Sequence, residues 1–133
     1  MKKHLTLLLV LFLMIPCGGC MPYHFTKKPG ISGTVLDSKT KEAIPEAIVE
    51  LTTWSFPEKK EKIETISTAV DGSFVLLAEQ YWSIYIVPLD PGPLKVRVSI
   101  GKNGYIQFTK EFNINTMGPS VTSFEKILLE HLP

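Results

Sequence analysis

Along Ile31 to Leu36 the apolar and polar positions alternate, with Ile31, Gly33 and Val35 on one face and Ser32, Thr34 and Leu36 on the other. That period of two predicts a half-buried strand. Asp37 to Lys41 supplies turn formers, because Asp and Ser side chains bond the backbone just ahead of them. Pro45 then leads into a second run in which Ala47, Val49 and Leu51 share a face opposite Ile48 and Glu50. The two runs predict a hairpin. Ile63 to Thr68 reads as a further strand, and Asp71-Gly72 as a tight turn into Ser73 to Leu77. Leu94, Val96, Val98 and Ile100 alternate strictly with Lys95, Arg97 and Ser99, the cleanest amphipathic strand of the chain. After a turn at Gly101 to Gly104 the chain returns from Tyr105 to Ile114, where Lys110 interrupts the apolar positions and predicts a bulge or an edge. Val121 to Leu132 is expected as a last strand that packs Phe124, Ile127 and Leu129, with a short helix as the alternative. With 133 residues, 44% of them hydrophobic, the pattern predicts one all-β domain around one core.

The first twenty residues follow another rule. Lys2 and Lys3 precede an apolar run from Leu5 to Ile15, and small residues close the segment, which is the layout of a secretory signal. A run this short falls well below the roughly twenty residues that span a bilayer as a helix. Gly18-Gly19-Cys20 resembles the lipobox of bacterial lipoproteins, with Cys17 standing where an aliphatic residue is usual. The resemblance implies a signal peptide over 1–19, cleavage before Cys20, and lipidation of Cys20. An ordinary signal cleaved nearby with two incidental cysteines, or a disulfide between Cys17 and Cys20, is the alternative. Cleavage before Cys17 is disfavoured by Pro16 at the scissile bond. Once the signal is cut Cys20 is the sole cysteine, so no internal disulfide forms. Met21 follows Cys20 rather than Asp, which, in a host with two membranes, points to an outer-membrane anchor with the domain facing the periplasm. Residues 20–29, with two prolines, two lysines and no sustained period, read as a lipidated tether.

Gln80 to Pro93 is the least ordinary stretch. Tyr81, Trp82 and Tyr85 stand close together ahead of Pro88, Pro91 and Pro93, and both faces of the segment carry apolar groups. Tyr81, Trp82, Tyr85, Pro88 and Asp90 are the candidate binding surface, since aromatics beside a rigid proline loop make good interface anchors. An ordered loop that merely closes the domain is the plainer reading. Trp54 and Phe56, which open a polar loop, are expected to cap the core edge.

Charge and chemistry mainly exclude. Of 14 Lys and Arg, Lys2 and Lys3 fall in the signal, which leaves 12 basic against 13 acidic side chains. Such a balance argues against nucleic-acid binding, which needs a basic stripe to displace counterions from phosphates. Beyond the signal only His24 and His131 remain, both expected near mobile ends. No spacing of His, Asp and Glu supplies the three or four ligands of a zinc site, and no Ser, base and acid set emerges. Calcium bound by Asp37, Asp71 and Asp90 would require three separate loops to meet. No catalytic residue, metal or cofactor is expected.

The series Ile31-x-Gly33-x-Val35-x-Asp37, Ala43-Ile44-Pro45-x-Ala47-x-Val49-x-Leu51, Asp71-Gly72-x-Phe74 and Gly104-Tyr105 resembles the carboxypeptidase regulatory-like domain. The resemblance covers roughly Gly30 to Ile114 and implies a transthyretin-like, seven-stranded Greek-key β-sandwich over residues 30–133. Two departures stand out. Thr40-Lys41 replaces the family's Thr-Gly, which predicts a different backbone in that turn, and Glu46 replaces the Gly before the alanine of the second strand. The fold also hosts a hydroxyisourate hydrolase that ends in Tyr-Arg-Gly-Ser, an ending absent from Leu129 to Pro133. The resemblance therefore speaks to fold and leaves activity open. The expectation is a lipid-anchored, non-enzymatic envelope protein whose sandwich is an interaction or structural module. An envelope protein is its candidate partner, and its oligomeric state is open. An inhibitor or immunity lipoprotein against one enzyme, or a small-ligand or carbohydrate binder, are the rivals.

Overall fold

Nine strands run through the described residues: β1 (Cys20–Lys28), β2 (Gly30–Asp37), β3 (Ile48–Trp54), β4 (Glu61–Ser67), β5 (Ser73–Leu76), β6 (Glu79–Ile86), β7 (Pro93–Gly101), β8 (Phe108–Asn115) and β9 (Val121–Leu129). The structure, a computed structural model, describes residues 20–54, 61–86 and 92–133, with the backbone alone at 20, 21, 85 and 86. Three sheets result: β5-β2-β9, β4-β3-β7-β8, and a two-stranded ribbon of β1 and β6. The first two, of three and four strands, carry the core between them, so the all-β sandwich stands, and the ribbon brings the strands among the described residues to nine.

The core follows from the alternation. Ile31 and Val35 of β2, Val49 and Leu51 of β3, and Leu94, Val96, Val98 and Ile100 of β7 are all nearly or wholly buried, joined by Phe74, Leu76, Phe124, Ile127 and Leu129. The expected hairpin does not form. β2 and β3 sit in different sheets, and the connection folds back on β2, with the Ile44 N–H donating to the Val35 carbonyl at 3.0 Å. Each of the two runs has one apolar face, and facing each other across the core buries both where lying side by side would leave both open on one side.

Pairing explains the other irregularities. β9 lies parallel to β2, with Gly33 opposite Phe124 but Val35 opposite Ile127. The extra residue in β9 lets Phe124 and Ile127, three apart, both point inward. β8 pairs regularly with β7 at the sheet edge, so Lys110 marks an edge and no bulge. It stands opposite buried Val98 and holds its ammonium 5.2 Å over the Phe124 ring, an inward charge that discourages edge-to-edge pairing.

Two glycines are required by close approach. A Cβ on Gly33 would meet the Phe124 carbonyl oxygen at 2.7 Å, and one on Gly72 would collide with the Val35 carbonyl. Lys41 and Glu46, with φ of 62° and 54°, hold the left-handed conformation that glycine favours. The turn at Thr40-Lys41 therefore keeps a glycine-type backbone without its glycine, contrary to the expected change. Trp54 also departs from expectation. It lies on the outer face, with the Arg97 guanidinium 4.8 Å and the Lys95 ammonium 5.4 Å from its ring centroid. Phe56 falls outside the described residues.

Candidate functional site

The stretch expected as an irregular tether is strand β1, because the β6 backbone gives it a partner. The two run antiparallel, with Cys20 opposite Ile86, Pro22 opposite Ile84, His24 opposite Trp82, and Phe25 opposite Tyr81. On its other side β1 meets the 116–118 turn, where the Thr26 N–H donates to the Thr116 carbonyl at 2.7 Å and the Gly118 N–H to the His24 carbonyl at 3.0 Å. A two-stranded ribbon alone is marginal in water. These bonds, and an ion pair from Lys28 of β1 to Glu64 of β4 at 2.6 Å, tie it to the sandwich.

Alternation then divides the candidate surface. Tyr81 stacks on Phe25, their centroids 5.7 Å apart, and Phe25 is buried. Trp82 points the other way, edge-on to His24 at 3.6 Å between centroids, and is 70% exposed. Ile84, on the Trp82 face, is 65% exposed. Tyr81 and Trp82 therefore do not share one patch: Tyr81 belongs to the face that covers Phe25, and Trp82 and Ile84 form an outward apolar face with Pro22 and His24. For Tyr85 only the backbone is described, opposite Met21, and Pro88 and Asp90 lie outside the described residues. The structure does bring the β6 aromatics beside the strand that Cys20 opens. Sequence reasoning missed this because the 21–28 run alternates only weakly, and its partner lies some sixty positions away.

Charge collects at the root of the ribbon. Glu79 accepts from Lys27 at 2.7 Å and from Lys62 at 3.0 Å, and these two ammonium groups hold its carboxyl down to about 2. Behind the indole, the His24 Nε2 is buried with no hydrogen-bond partner among the described residues.

A second polar cluster joins the first turn of the sandwich to the last residues of the chain. The Asp37 Oδ1 accepts the N–H groups of Lys39 at 2.7 Å and Thr40 at 3.0 Å, the turn expected from the sequence. Its Oδ2 accepts the Tyr105 hydroxyl at 2.9 Å and lies 2.6 Å from the His131 Nε2. The Thr40 N–H leads the donors that hold the Asp37 carboxyl well below the usual carboxylate range, and the bonded carboxylate in turn raises the Tyr105 hydroxyl above the usual phenol value. His131 is thus fixed rather than near a mobile end: residue 131 bridges residue 105, and the Leu132 N–H donates to the Gly104 carbonyl at 3.0 Å. Asp71 bonds the Ser73 hydroxyl at 2.6 Å and does not approach Asp37 as a shared cation site would require. Among the described residues no three His, Cys, Asp or Glu side chains gather closely enough to hold a metal. A cavity of about 520 Å³ lies on the outer face of the four-stranded sheet, lined by Glu46, Ile48, Glu50, Ser99, Lys102 and Gln107. None of the expected site residues lines it.

No protein-family model matches the chain, and no curated protein matches it. Among solved structures the chain is similar to the 3-chlorocatechol 1,2-dioxygenase of Rhodococcus opacus 1CP, with 14% identity over 80% of this chain and 60% of that one, at a TM-score of 0.48. The C-terminal domain of the shaft pilin spaA of Lactobacillus rhamnosus GG matches at 10% identity over 84% of this chain and 99% of that one, with a TM-score of 0.42. A 9R-lipoxygenase from Cyanothece PCC8801 matches at 15% identity over 80% of this chain and 17% of its own, with a TM-score of 0.42.

Proposed function

We propose that the protein is a bacterial lipoprotein, anchored through Cys20 in the outer membrane and facing the periplasm, whose carboxypeptidase regulatory-like sandwich is a non-catalytic interaction or structural module. The observation that carries this reading is the Gly18-Gly19-Cys20 lipobox behind the apolar run from Leu5 to Ile15. Cys20 lies within β1, opposite Ile86, so an acylated Cys20 would join the folded body with no intervening tether. The family resemblance gains support from Lys41 and Glu46, which hold a left-handed backbone at the two positions where the family places glycine. Labelling with a fatty acid and fractionating the cells tests the reading. The wild-type chain takes up label and sediments with membranes, and Cys20→Ala does neither. Continued membrane attachment of Cys20→Ala overturns it.

One feature favours a second reading, an inhibitor or immunity factor for a single envelope enzyme. In the ribbon β6 pairs with β1 alone, so among the described residues its other edge is open for a strand from a partner to add to it. Cross-linking in intact cells followed by mass spectrometry would then recover one dominant envelope protein. Recovery of no specific protein returns the weight to the first reading.

A further inference from the structure

The outward face of the β1–β6 ribbon is apolar, and the strand it is built on begins at Cys20. Pro22, His24, Trp82 and Ile84 occupy this face, with Trp82 and Ile84 the most open at 70% and 65% exposure. The opposite face holds buried Phe25 with Tyr81 stacked on it. In the register the Trp82 pair lies four residues from the Cys20 pair, a separation of about 13 Å at the rise of a strand.

We infer that this face rests on the surface of the bilayer that holds the Cys20 lipid, with the Trp82 indole and Ile84 seated at the level of the headgroups. The inference rests on lipid anchoring at Cys20. Three features select a lipid surface over a protein. An acyl chain on the first residue of β1 keeps the bilayer within reach of Trp82 at all times, an effective concentration that a diffusing partner does not match. Tryptophan beside an aliphatic side chain is the composition of a membrane interface, where the amphipathic indole sits between hydrocarbon and water. On the Trp82 face, between Pro22, His24 and Thr26 of β1 and Gln80, Trp82 and Ile84 of β6, no Lys, Arg, Asp or Glu stands, and the first charges, Lys27, Lys62 and Glu79, come at the far end of the ribbon. Those charges set a limit to how deeply the ribbon lies. The body is then held against the membrane in one orientation, with the cavity face and the Asp37 cluster set by the rigid ribbon rather than by a swinging tether.

The test uses the lipidated chain with Trp54→Phe, which leaves Trp82 as the one tryptophan, in vesicles of phosphatidylethanolamine and phosphatidylglycerol with and without brominated acyl chains. The result expected is a blue-shifted Trp82 emission that falls about twofold in the brominated vesicles, as for an indole at the interface. The reciprocal chain, Trp82→Phe with Trp54 retained, shows no fall, because Trp54 lies beneath Lys95 and Arg97 on the outer face of the four-stranded sheet. Equal emission with both lipids from a chain that carries its fatty acid overturns the inference and leaves the anchor intact. A blue shift without quenching places Trp82 against protein and overturns it too. Absence of the fatty acid on Cys20 overturns the anchor and this inference together.

Discussion

The Nε2 of His131 lies 2.6 Å from the Oδ2 of Asp37, a contact between residues ninety-four positions apart. It joins the last turn of the chain to the first turn of the sandwich, with the Tyr105 hydroxyl on the same oxygen. Around it the 131–105 bridge and the Ser38 N–H to Leu129 carbonyl bond, at 2.9 Å, hold β9 beside β2. The carboxylate is thus a latch at one end of the sandwich, while the ribbon from Cys20 occupies another part of the surface.

The latch predicts the shape of the stability profile with pH. The folded pKa of Asp37 lies below its ordinary value near 3.9, so its stabilisation is complete above that value and is lost as pH falls toward the folded pKa. Asp37→Asn keeps an oxygen for the Lys39 and Thr40 N–H groups but removes the charge. Chemical denaturation between pH 2 and 6 should show a flatter acid limb for the variant. A limb as steep as that of wild type would assign the acid sensitivity elsewhere.

Tyr105 governs the alkaline side with the opposite sign. Its folded pKa lies above the ordinary phenol value near 10, so its stabilisation is present below that value and disappears as pH rises through the folded pKa. Tyr105→Phe should reduce stability at pH 7 and remove part of the loss above pH 10, as read by thermal melts across that range.

Thr68 is a buried junction. Its hydroxyl donates to the Ile44 carbonyl at 2.7 Å and accepts the Ala47 N–H at 2.8 Å. Thr68→Val preserves the shape and strands both backbone groups, so it should cost about 2 kcal/mol. Urea unfolding would measure this as a lower midpoint with an unchanged slope.

Glu46 and Lys41 offer the opposite effect. Each is a non-glycine residue with positive φ, a conformation that costs about 1 kcal/mol relative to glycine. Glu46→Gly removes only an exposed 3.6 Å contact with Lys102. The melting temperature should rise by a few degrees, and by more with Lys41→Gly added.

Gly33→Ala should be among the most damaging single-methyl additions. The new Cβ would press on the Phe124 carbonyl at 2.7 Å and the Phe74 ring at 3.0 Å, forcing β9 or Phe74 to move at a cost of about 1–3 kcal/mol. A melting temperature within a degree of wild type would mean that the two strands part more easily than their packing implies.

By itself the sequence determined the inward faces. Ile31, Val49, Leu51, Val96, Val98 and Ile100 are legible because a strand presents alternate residues to one side, a property of the backbone that needs no knowledge of neighbours. The Asp37 turn and the Asp71-Gly72 turn were local in the same sense, as each is made by a side chain or a glycine acting within a few residues. Only the tertiary structure decided which strands pair. β2 faces β3 across the core rather than beside it, β9 runs parallel to β2 with an extra residue, and residues 20–28 become a strand because β6 supplies hydrogen bonds from a distant part of the chain. It also decided that Tyr81 and Trp82 part company and that His131 meets Asp37. Alternation states which way a side chain points relative to its own strand; what it meets there depends on the partner strand and its register, which no local pattern encodes.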